Sequence, residues 1–128
     1  MIYENLKKVL EKIEEAKSRY NRKDFIELIA VSKYSNAESI KEAFNCGQSA
    51  FGENKVQDLI QKQKVLNNQD IKWHFIGTLQ ENKINSLLLA KPILLHSLHS
   101  LKLAHALQKR LIRDGKKLRA LHNFNIAI

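Results

Sequence analysis

Lys33 stands one residue beyond a short apolar run, Phe25-Ile26-Glu27-Leu28-Ile29-Ala30-Val31, which ends at Ser32-Lys33. A lysine placed there has its stem held by packing while its amine points outward. A free lysine amine titrates near ~10.4, so about one in a few thousand is uncharged at neutral pH. Imine chemistry needs the uncharged form, and desolvation or a neighbouring cation lowers the pKa by several units. A drop of three units corresponds to about 4 kcal/mol against the charged form. An ordinary exposed lysine at the start of a loop satisfies the same pattern. Other residues stand at equivalent places after or within apolar runs: Glu53 and Asn54, His74 and Gly77, His96 and Ser97, then Asn123 and Asn125. His96 and His99 are three apart and His105 lies further on, but no cysteine or carboxylate stands at the close spacing that a zinc site wants. Phe51-Gly52-Glu53-Asn54 reads as a tight turn in which glycine also permits close approach of a ligand. Neither G-x-G-x-x-G nor G-x-x-x-x-G-K-[ST] occurs, so nucleotide binding through those loops has no support.

The elements that would position these groups alternate. Residues 3–22 carry mostly apolar positions at three- and four-residue spacing and predict a helix. Residues 25–31 predict a strand buried on both faces, as in a parallel sheet. Ser35 and Glu38 form a capping-box pattern opening the next helix, and Gly47 closes it. A strand at 49–52, a helix at 54–66 and a strand at 71–77 follow. Thr78 and Glu81 form a second capping box for a helix through Leu89, which Pro92 stops. A strand at 93–96, a helix capped by Ser97 or Ser100 and ended by Gly115, and a fifth strand from 118 to 128 complete the pattern. The order is α then (βα)₄β, which predicts an α/β fold of parallel βα units with right-handed crossovers. Two architectures satisfy it: an open doubly wound five-stranded sheet, or part of a TIM-type (β/α)₈ barrel, which normally takes ~250 residues. In both, chemistry sits at the carboxyl ends of the strands.

The 128 residues suit one domain, and with 44% hydrophobic and 27% charged residues they read as folded. No apolar run approaches the ~20 residues of a membrane span, and the first eight residues lack the apolar core of a secretory signal. Cys46 is the only cysteine, which fits a reducing cytoplasm. The net charge of +9 invites a nucleic-acid reading. Yet the basic residues are scattered beside glutamates, and the longest cluster, 110–119, is interrupted by Asp114 and Gly115. A small basic α/β module binding RNA or a protein partner stays open as the alternative function.

Taken together, Ala30-Val31-Ser32-Lys33, Phe51-Gly52-Glu53-Asn54 with Val56-Gln57, Trp73-His74-Phe75-Ile76-Gly77-Thr78-Leu79-Gln80 with Asn82-Lys83, and His96-Ser97 resemble the pyridoxal-phosphate homeostasis family. The resemblance covers nearly the whole chain, and W-H-F-I-G-x-L-Q-x-N-K is its most specific segment. It implies a barrel similar to the amino-terminal domain of alanine racemase, pyridoxal 5′-phosphate held as an imine on Lys33, and a cytoplasmic role in vitamin B6 and amino-acid homeostasis without turnover. It implies cofactor-contacting positions at Asn54, His74 and Ser97. It implies pyridoxal-phosphate-dependent apoenzymes as partners, and neither a membrane nor a specific nucleic acid. A racemase would need an opposing acid or base, and none is located.

The chain also departs from the family pattern. Tyr34-Ser35-Asn36 stands where relatives often have a second lysine, and His122-Asn123-Phe124-Asn125 where a glutamine usually precedes the asparagine. About three further βα units, with the loops that grip the cofactor phosphate, are expected beyond this sequence. The resemblance therefore predicts residues 1–128 as a single partial barrel of five strands, with exposed edges prone to self-association and a weakened cofactor site.

Overall fold

A computed structural model describes residues 1–122 of the chain. The elements are α1 (Ile2–Arg19), β1 (Ala30–Val31), α2 (Ala37–Asn45), β2 (Ala50–Glu53), α3 (Val56–Leu66), β3 (Lys72–Phe75), a 3₁₀ turn (Glu81–Lys83), α4 (Ile84–Ala90), β4 (Leu94–Leu98), α5 (Leu101–Asp114) and β5 (Ala120–His122). The residues expected to extend the fifth strand beyond His122, including Asn123 and Asn125, lie outside the described residues.

Every strand pair is parallel, and the sheet order is β1-β2-β3-β4-β5. This order separates the two architectures left open by periodicity. A doubly wound sheet reverses direction at a switch point, so its strands are not in sequence order. Here each crossover advances one place the same way, as in a (β/α)₈ barrel.

Register sorts side chains onto two faces, because successive residues of a strand point to opposite sides. One face carries Phe51 beside Trp73 and Phe75 beside Leu95. These four are buried under Ile40 of α2, Leu59 of α3, Ile84, Leu87 and Leu88 of α4, and Leu103 and Leu107 of α5. The Phe51 and Trp73 rings pack at 6.0 Å with a 45° tilt. The other face carries Val31, Gly52, His74 and Leu94 in adjacent positions. Val31 is 57% exposed there, in contrast to the closed helical side. In β4 the register shifts between Leu95 and Leu98, which lets both reach the helical core although they are three apart.

Several local expectations need correction. The strand expected over residues 25–31 is only Ala30–Val31, and Phe25 is 87% exposed. β1 stands at the end of the sheet with β2 as its one neighbour, and Phe25 and Ile26 before it are left exposed while Leu28 and Ile29 are half-buried. The Gln48 amide holds the approach to β1, donating to the Leu28 and Ala50 carbonyls at 2.6 and 2.7 Å. Helix α1 ends at Arg19, not Arg22, because Asn21 turns left-handed (φ 51°) and the Arg22 N–H closes back on the Lys17 carbonyl at 2.8 Å. The cap of α2 is Asn36, whose Oδ1 accepts from the Ser39 N–H at 2.8 Å, in place of the expected Ser35. The expected Thr78 cap is absent too. Leu79 is drawn into the core and the helix starts later, through a 3₁₀ turn after Gln80. Ser100 caps α5 by accepting from Leu103 N–H at 3.1 Å, and Gly115 ends it at φ 62°.

The cap assignment is testable by urea denaturation. Asn36→Ala is expected to lose about 1 kcal/mol of stability, as for other lost N-caps. Ser35→Ala is expected to cost clearly less, within about 0.5 kcal/mol of the parent, because the half-buried Ser35 hydroxyl caps no helix N–H. Equal losses would contradict the assignment.

Candidate functional site

Because the strands are parallel and in sequence order, their carboxyl ends form one rim, and that rim carries the expected site residues. Ser32 leaves β1 with its N–H bonded to the Gly52 carbonyl at 3.0 Å. A turn follows, closed by the Ser35 N–H donating to the Ser32 carbonyl at 3.0 Å. Lys33 is the second residue of this turn and is exposed, not sheltered as its place after an apolar run suggests. Its ammonium lies 5.2 Å from the centre of the Tyr34 ring. Tyr34 is itself 92% exposed, so this contact is worth at most about 1 kcal/mol.

Asn54 follows β2. Its Oδ1 is enclosed and has no hydrogen-bond partner. A buried polar atom without a partner costs about 1–3 kcal/mol, which makes it a place where a ligand donor would be welcome. Gly77, on the next loop, packs against the same residue. A Cβ at position 77 would lie 2.1 Å from the Asn54 carbonyl oxygen, so only glycine fits. Beside them is a cleft of about 230 Å³ bounded in part by Asn54, Gln57, Thr78, Gln80 and Lys83.

His74 faces away from Trp73 and Phe75, as expected, and meets His96 from β4. His74 Nδ1 and His96 Nε2 are 3.0 Å apart. One ring must donate and the other accept, so the pair requires at least one neutral imidazole. The other nitrogen of His74, Nε2, is buried without a hydrogen bond, and the Glu27 carboxylate lies 3.9 Å from it. Burial pushes the His74 pKa below its ordinary value, and the His96 charge pushes the same way; Glu27 opposes them. Ser97 is half-buried in β4 and makes no side-chain hydrogen bond among the described residues. Lys33, Asn54 and His74 therefore lie at or near the carboxyl ends of three adjacent strands, and His74 alone is joined to another candidate's strand, through His96.

Sequence reasoning missed a buried polar network just beneath Lys33. Glu53 is fully buried on the helical side. The Lys62 ammonium, from α3, donates to both its oxygens at 2.9 Å and to the Ser32 carbonyl at 2.6 Å. The Ser32 hydroxyl donates to the same carboxylate. The available signal was Lys62 itself, which follows Leu59 by three residues and so shares the inward face of α3.

The basic stretch on α5 is engaged locally. Arg110 donates to the Glu81 carbonyl at 2.9 Å, and Arg113 to Asp114 at 2.9 Å and Asn85 at 3.3 Å. Among the described residues no group of three or more His, Cys, Asp or Glu side chains is placed to hold a metal, and no helix is long and apolar enough to cross a membrane.

No family model matches the chain. Individual relatives do. A pyridoxal phosphate homeostasis protein of Helicobacter pylori is 50% identical over 119 residues, covering 93% of this chain and 54% of the relative. One from Aquifex aeolicus is 41% identical over 113 residues, covering 88% and 49%. The chain belongs to the pyridoxal phosphate homeostasis family. It spans about half the length of the curated relatives it matches. Among solved structures, PipY of Synechococcus elongatus with pyridoxal phosphate bound is similar at a TM-score of 0.76 and 35% identity, covering 94% of this chain and 52% of PipY. The homeostasis-family match and the sequential parallel sheet agree on one architecture.

The histidine pair makes a pH prediction. The folded state disfavours the protonated His74, so the unfolded chain takes up that proton first as pH falls. The stabilising contribution is whole above the ordinary histidine value and is lost as pH drops through the lowered one. Urea denaturation from pH 8 to 5 is expected to show His74→Gln losing less stability with acidification than the parent. Parallel curves would refute the assignment.

Proposed function

We propose that this chain binds pyridoxal 5′-phosphate, with the Lys33 amine as its covalent anchor, and serves cytoplasmic vitamin B6 and amino-acid homeostasis without turnover. The observation that carries the proposal is Lys33, an accessible amine at the carboxyl end of the first strand, in a chain 50% identical to a homeostasis protein over 119 residues. PipY, solved with the cofactor bound, supports the ligand class. Cofactor-dependent apoenzymes would be the recipients, and residues 1–128 would act as the first part of a barrel domain.

The residues present fit the aldehyde-bearing group at one end. Lys33 offers the amine, and two buried polar atoms without a hydrogen bond, Asn54 Oδ1 just after β2 and His74 Nε2 on β3, belong to neighbouring parts of the sheet. When bound, the cofactor supplies an aldehyde carbon that a neutral amine can capture. Lys33 is the residue that would hold that carbon through its side-chain nitrogen, presented by the turn after β1. Lys33 is exposed, so the bound ligand itself would have to shield the amine from water. Asn54 would hold the ligand through its unpartnered acceptor. His74, kept neutral by burial, would present either a donor or an acceptor without adding charge. Ser97 would contribute a hydroxyl from β4.

Borohydride reduction of the chain with pyridoxal 5′-phosphate, followed by peptide mass spectrometry, tests this. Hydride converts the imine into a stable secondary amine, and label is expected at Lys33. Lys33→Ala is expected to lose at least about 90% of the trapped adduct, since an unpositioned surface lysine lacks the gain from a held geometry. Label spread evenly over surface lysines would defeat the proposal, and salt-dependent RNA binding with no imine absorbance would favour the basic-module alternative.

A further inference from the structure

The Ser32–Lys33 peptide is held more firmly than the exposed lysine it carries. Its carbonyl accepts twice, from Lys62 Nζ at 2.6 Å and from the Ser35 N–H at 3.0 Å. The preceding amide donates to Gly52, and the Ser32 hydroxyl is tied to Glu53. A carbonyl oxygen has two lone pairs, so both are used. The plane of the peptide bond leading into Lys33 is thereby fixed from two directions.

Only one of those two donors is local. The Ser35 N–H belongs to the turn itself and would move with it. Lys62 comes from α3 and is anchored by a carboxylate that is fully buried beneath the sheet. Its side chain is 13% exposed, so the ammonium has little water to exchange into. A buried charge paired on one side and bonded on the other keeps its geometry, because either bond lost leaves an uncompensated group.

We infer that Lys62 is a positioning residue for Lys33: bridging Glu53 to the Ser32 carbonyl, it locks the turn that presents the Lys33 amine at the rim. The inference deepens the proposed role of Lys33 and rests on it for its chemical consequence. Its structural part, the fixing of the turn, stands independently. Lys62 touches no reacting atom in this arrangement; it acts through one peptide group.

The test uses the 128-residue chain with Lys62→Met, Lys62→Arg and the double variant Glu53→Leu/Lys62→Met. The double variant removes both charges together and so leaves none buried alone, which keeps a folded protein available if the single change unfolds it. Two measurements are made on variants with cooperative thermal unfolding. The first needs no cofactor: hydrogen exchange of the Ser35 amide, expected to speed up roughly tenfold or more in the double variant as the turn opens. The second is the rate of borohydride-trapped label at Lys33 with pyridoxal 5′-phosphate, expected to fall roughly ten- to a hundredfold while label at the exposed residue Lys117 stays constant. Lys62→Arg, which keeps a donor and a charge, is expected to recover part of both. A folded double variant with Ser35 exchange and Lys33 labelling within twofold of the parent would overturn the inference. Failure of the parent itself to label at Lys33 would instead sink the cofactor proposal, and Ser35 exchange would still decide the positioning claim.

Discussion

The buried pair between Glu53 and Lys62 is the constraint on which the rim depends. A carboxylate with no exposure at the end of an otherwise apolar strand is costly unless fully bonded. Here both oxygens accept from one ammonium, one of them also from a serine hydroxyl, and the ammonium spends its remaining capacity on a backbone carbonyl. Removing one member of such a pair typically costs about 3–5 kcal/mol. The network joins β2, the helix α3 that follows it and the turn after β1, so these three stretches share one electrostatic fastening. The two-residue β1 strand has few ladder bonds of its own and gains its footing from it.

Above that fastening the sheet has two very different faces. The helical face is filled by aromatic and branched side chains from β2, β3 and β4. The opposite face is sparsely filled, with an exposed Val31, a glycine, and two histidines in mutual contact. A His–His contact is a poor stabiliser in isolation, since it fails once both rings are charged. With His74 Nε2 left without a hydrogen bond, the pair makes sense as polar capacity held near the rim, not as core structure.

The fold was largely legible in the sequence. The alternation of apolar runs and amphipathic stretches placed all five strands, and Gly47 and Gly115 marked helix ends because their left-handed backbone suits no other residue as well. Motif order led to the barrel type, which the strand order then bore out. What stayed hidden depended on neighbours in space. Phe25 and Ile26 look like core by composition, yet a strand at the sheet's end has nothing to bury them against. Ser35 and Asn36 are adjacent cap formers, and the helix begins at Ala37, which leaves Asn36 at the cap with its Oδ1 accepting from Ser39. On the site, the sequence pointed to Lys33, Asn54 and His74 at strand ends and left open whether Lys33 is sheltered; it is exposed. Sequence reasoning passed over Lys62, because a lysine on an apolar helix face is read as a side chain that curls outward to water.

The sequential strand order carries a consequence for how the molecule is made. Paired residues on neighbouring strands are between 20 and 25 positions apart throughout, from Ala30 with Phe51 to Leu95 with Ala120. Loop-closure entropy varies only logarithmically with length, so each successive strand joins at nearly the same entropic cost. No strand must wait for a later one to be inserted between it and its neighbour. The sheet can thus be laid down one strand at a time as the chain leaves the ribosome, each new unit finding a finished template at the growing edge.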